Sequence, residues 1–128
     1  MTHLHGILFE QVKEFVKQEV PPPRKGNLLR QTELLSDLRI AEEDADDLLM
    51  KYFSTFGIAE GDFDFSRYFP SEGLWLLPRF RKAKNPIPIS LGMLELAARI
   101  HLWDTKVLEE AYMNNNYDYS PERLLKND

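Results

Sequence analysis

A mainly helical single domain is the fold class that this sequence predicts, and three observations carry it. Apolar residues recur at three- and four-residue intervals over residues 4–20, 41–56 and 91–102, the period of amphipathic helices. Strong punctuation marks the edges of those stretches: Pro21, Pro22 and Pro23 after the first, Gly57 after the second and Ser90 before the third. At 128 residues the chain is long enough for one hydrophobic core. It has no cysteine, so neither disulfides nor cysteine-bound zinc can support the fold.

The first helix is set by Leu4, Ile7, Leu8, Val12, Phe15, Val16 and Val20, and the three prolines stop it. A polar connection, Arg24 to Asn27, leads into Leu28, Leu29, Leu34, Leu35 and Leu38, a long interhelical segment whose leucines are expected to lie over the core. In the second helix Ala41, Ala45, Leu48, Leu49, Tyr52, Phe53 and Phe56 share one face, with Glu43, Asp47, Met50 and Ser54 opposite. Its acids crowd the first turns, where the helix dipole favours negative charge, and Gly57 fits a left-handed cap.

An extended insertion is expected around residues 60–90. "DFDFSRYF" alternates from Asp62 to Phe65 and then loses the pattern, as a short strand or an extended loop would. "NPIPIS" is extended because each proline biases the residue before it away from the helix. The two could pair as a small two-stranded ribbon. Between them Pro70 to Lys84 is too apolar for a free loop and too rich in proline for a long helix. Ser90 is a suitable N-cap for a further helix over Leu91 to about Leu102. Residues 1–104 thus form the domain, and residues 105–128 are expected to be a loosely packed tail with one or two helical turns around Val107 to Tyr112.

Composition narrows the functional classes. Without cysteine there is no thiolate nucleophile and no thiol redox chemistry. The N-terminal residues lack the pattern of a secretory leader and no apolar run approaches the roughly 20 residues that span a bilayer, so the expected location is the cytoplasm, with no membrane association. A net charge of −5 disfavours nucleic acid as a partner. The charge is also polarised: Glu33 to Asp64 holds ten acids and two bases, whereas Arg79 to Lys84 holds four bases and no acid. A protein partner with a basic surface would be drawn to the acidic half.

No constellation of catalytic residues stands out, and the chain is not expected to be an enzyme. His3 and His5 lack a third metal ligand nearby, and His101 fits the boundary of a helix better than a general base. The acids from Glu42 to Asp47 lack the alternating ligands and central glycine of a calcium loop, so no metal is expected. The basic segment with Trp75 and Phe80 beside it leaves three uses open: a solvated loop, a small-ligand or partner edge, or a surface for weak self-association.

The stretch "DLRIAEEDADDLLMKYFSTFGI", residues 37 to 58, is similar to the second-helix signature of acyl carrier proteins, Asp-Leu-Gly followed by Asp-Ser-Leu-Asp and an acidic amphipathic helix ending in Phe-Gly-Ile. Asp37 and Leu38 match the opening pair, Asp44 the aspartate after Ser-Leu, Leu48, Tyr52 and Phe56 the core positions, and Gly57 and Ile58 the exit. With "DFDFSRYF" and "ISLGMLELAARIHLW" included, the chain more closely resembles a bacterial family of unknown function, DUF1493, which belongs with the carrier-protein-like folds. The resemblance implies an acyl-carrier-protein-like helical bundle. It also implies an acidic docking face, which here maps onto Glu43, Asp44, Asp46, Asp47 and Met50; Glu43 and Asp46 replace apolar docking residues with charge. Glu42 stands at the position of the carrier serine, and a carboxylate cannot form the stable phosphodiester that anchors phosphopantetheine. No cofactor is therefore expected, unless Ser36, six residues upstream, serves as an unusual attachment site. The expectation is a protein-protein interaction or regulatory module, monomeric or weakly self-associating, with a working carrier as the first alternative and a small-ligand binder or enzyme using the Trp75 to Lys84 edge as the second.

Overall fold

The computed structural model describes residues 2–20, 27–69 and 87–117. Five helices occur among them: α1 (Thr2–Glu19), α2 (Glu42–Phe56), the single turn α3 (Phe65–Tyr68), α4 (Leu91–Ile100) and α5 (Thr105–Met113). None is long and apolar enough to cross a membrane.

At the centre lies α4, buried at every residue from Leu91 to Ala98 and partly covered at Arg99 and Ile100. It packs against α1 on one side and α5 on the other, and α2 packs on α1. A helix apolar on every side must be enclosed, and "LGMLELAARI" meets that demand except at Glu95 and Arg99. Each fully buried leucine contributes roughly 1.5–3 kcal/mol from the area it removes from water. Ser90 starts the helix as expected: its Oγ accepts from the Met93 amide at 3.3 Å. His101 ends it in the left-handed region, at φ 62°.

The second helix follows its sequence pattern closely. Ala45, Leu48, Leu49, Tyr52 and Phe53 are buried, and Phe56 packs against the core from a partly exposed position. Tyr52 is fully enclosed, and its hydroxyl donates to the Leu94 carbonyl at 2.7 Å, so the phenol ties α2 to α4 without an unpaired polar atom. Gly57 closes the helix at φ 62°, its amide reaching back to the carbonyls of Phe53 and Ser54. Ala41 differs from expectation. It is the exposed N-cap rather than a member of the buried face.

The segment between α1 and α2 buries Leu28 and Leu34 and partly covers Leu38, but Leu29 and Leu35 remain exposed. It is fastened to the start of α4 by an isolated antiparallel bridge between Glu33 and Ser90, with Leu34 N donating to Ile89 O and Leu91 N to Thr32 O. A second isolated bridge, parallel, joins Ala59 to Leu102.

These contacts replace the expected ribbon. Residues 62–69 do not pair with residues 87–90: the Asp64 carboxylate accepts from the amide and hydroxyl of Ser66, which starts a helical turn instead of a strand. That turn buries Tyr68 and Phe69 and sets Phe63 among Phe53, Tyr68 and Trp103, with ring centroids 5.1 to 6.0 Å from Phe63. No strand ladder occurs among the described residues; Pro70 to Pro86 lie outside them.

A second correction concerns the end of the chain. Residues 105–117 are packed rather than loose, with Leu108 and Ala111 fully buried and Tyr117 nearly so. Asp104 caps α5 by accepting from the Val107 amide. The reason is a fit with α4. Gly92 leaves room for the Tyr117 ring, and the Tyr117 hydroxyl meets Ser90 Oγ at 2.9 Å. Residues 118–128 lie outside the described part.

Candidate functional site

The exposed face of α2 gathers the residues singled out in the sequence. Because Ala45, Leu48, Leu49, Tyr52 and Phe53 turn inward, Glu43, Asp44, Asp46, Asp47 and Met50 turn outward, and all five are exposed. Among the described residues none of these four carboxylates has an ion-pair or hydrogen-bond partner. The base on the same helix is taken: Lys51 Nζ lies 3.2 and 3.3 Å from the two carboxylate oxygens of Glu19 on α1. Two turns of helix thus present four negative charges that no described residue pairs, with Met50, 42% exposed, at their C-terminal edge. In solvent of high dielectric such a face binds weakly by itself but attracts a basic partner over about a Debye length, near 8–10 Å at physiological salt.

Glu42 is the first residue of α2, and its backbone fits the expected register. Ser36 sits in the turn before the helix, exposed, with its hydroxyl donating to Glu33. The other Glu33 oxygen accepts from the Tyr112 hydroxyl at 3.0 Å, so this carboxylate links the interhelical segment to α5. The Ser36 oxygen is on the surface, and among the described residues no basic side chain is bonded to it.

Two buried or nearly buried carboxylates escaped the sequence reading. Glu95, 1% exposed, takes Arg30 in a bidentate pair at 2.6 and 3.1 Å and also accepts from Arg99 at 2.9 Å. The Arg30 guanidinium lies 4.3 Å from the centroid of the Phe9 ring, so one side chain joins α1, the interhelical segment and α4. Glu109 accepts from Arg67 Nε and Nη2, each at 2.7 Å, and from the Tyr68 hydroxyl at 2.8 Å. Burial acts to raise the Glu109 pKa, but the hydrogen bonds from Arg67 and Tyr68 and the guanidinium charge outweigh it and hold the carboxyl below its ordinary value. Burial first, then the bond to Glu109, pushes Tyr68 well above the usual phenol range. Both carboxylates are locked in place by arginine, which suits structural anchoring rather than proton transfer. A lone glutamate inside "LGMLELAARI" is the signal that could have marked Glu95; Glu109 in "KVLEEAYM" carries none.

His101 is exposed and contributes its carbonyl to the Ala59 amide. His101 also borders an open groove of about 1320 Å³ between α1, the end of α2 and the end of α4, with Ile7, Leu8, Phe15, Phe56 and Ala98 along the apolar part. Among the described residues no three potential metal ligands converge. Arg79 to Lys84, Trp75 and Phe80 lie outside the described residues, as do the side chains of His3 and His5.

No curated protein and no solved structure matches the chain. A family model does, over residues 7–104, described as a protein of unknown function (DUF1493). The match runs from the first turns of α1 through α4 to the Asp104 cap of α5, and so takes in the whole of α2 and its acidic face. The chain belongs to the DUF1493 family.

Proposed function

We propose that this chain is a non-carrying relative of acyl carrier proteins: a cytoplasmic interaction or regulatory module, not an enzyme, whose acidic α2 face docks on a basic protein surface. The observation that carries the reading is the set of four exposed carboxylates, Glu43, Asp44, Asp46 and Asp47, without an ion-pair partner among the described residues, beside exposed Met50 on one helix. A solvated helix gains little from four uncompensated like charges beyond the favourable dipole interaction of those in its first turn. A docking face gains association rate and partner discrimination from them. Glu42 in place of the carrier serine supports the loss of cargo attachment.

The double variant Glu43→Lys, Asp47→Lys tests the reading. Helix-dipole losses of about 1 kcal/mol leave the fold in place, checked by circular dichroism. Capture of a basic protein from native lysate is expected with the parent chain, to weaken with added salt and to disappear with the variant. Equal capture by both removes the proposal.

A second reading, a working carrier that uses Ser36, rests on that exposed hydroxyl. Incubation with coenzyme A and a broad-specificity phosphopantetheinyl transferase is expected to leave the intact mass unchanged. A phosphopantetheine adduct mapped to Ser36 would reverse the order of the two readings.

A further inference from the structure

We draw no further inference here: the strongest candidate, the open groove between α1, the end of α2 and the end of α4 with Ile7, Leu8, Phe15 and Phe56 along it, is an unpartnered apolar face, and nothing in the structure shows what covers it.

Discussion

Gly57 and Gly61 separate two roles that look alike in sequence. Both adopt positive φ, 62° and 55°. A side chain at Gly57 would meet nothing within 4 Å, whereas a Cβ at Gly61 would lie 2.4 Å from the Trp103 carbonyl oxygen and 2.9 Å from Leu102. Gly57→Ala is therefore expected to cost only the left-handed backbone strain, about 1 kcal/mol. Gly61→Ala adds a collision with main chain that cannot rotate away, for a total near 3 kcal/mol. Urea denaturation of the two variants checks the ranking, and equal losses would contradict the close approach at Gly61. The carboxylates obey a similar distinction of surroundings. Glu95 and Glu109 are tied to arginines in the interior, while Glu43 and Asp47 are exposed and have no ion-pair partner among the described residues.

At the scale of elements, α5 owes its order to the helix it packs against. An amphipathic segment at the end of a chain reads as a tail when its apolar residues are few, and Val107, Leu108, Ala111 and Tyr112 are few. Their value comes from the surface they meet. Fully buried Leu108 and Ala111 pack where α5 lies along α4. Leu108→Ala should destabilise the protein by about 2–5 kcal/mol, the range for a leucine truncated in a core. Lys106→Ala, on the exposed side of the same helix, should change stability by less than about 0.5 kcal/mol. Thermal denaturation of the two distinguishes a packed helix from a loose one, since a loose helix would tolerate both. The α2 helix shows the opposite case, its buried face and its C-cap both set by local pattern.

For the molecule as a whole, buried phenols couple the fold to alkaline pH. Burial is the leading cause that pushes Tyr52, Tyr68, Tyr112 and Tyr117 above the ordinary value of 10. A group whose folded-state pKa is raised contributes stability that is complete below its unfolded pKa and is lost as pH climbs toward the folded value. Stability is thus expected to hold up to about pH 10 and to fall above it, with phenolate absorbance of the three buried tyrosines, Tyr52, Tyr68 and Tyr117, rising together with the loss of helical ellipticity. Those three phenolates appearing near pH 10 with helix content unchanged would contradict their enclosure. Charge polarity operates at the same scale: the net −5 is concentrated in the acidic run from Glu33 to Asp64, which includes α2.

The sequence alone determined the end of α2, the start of α4, the helical character of residues 4–19 and the outward direction of Glu43, Asp47 and Met50. These follow from local physics, the 3.6-residue period and the capping preferences of serine, glycine and proline, which act within a few residues. Only the tertiary structure decided that Ser90 bridges to Glu33 rather than to the segment after Asp62, that Asp64 starts a turn, and that Tyr117 closes over Gly92. It also decided which acids of this strongly acidic chain are paired. Partners such as Arg30 and Glu95, or Glu19 and Lys51, stand tens of residues apart and leave no periodic trace, so their choice rests on how the helices pack.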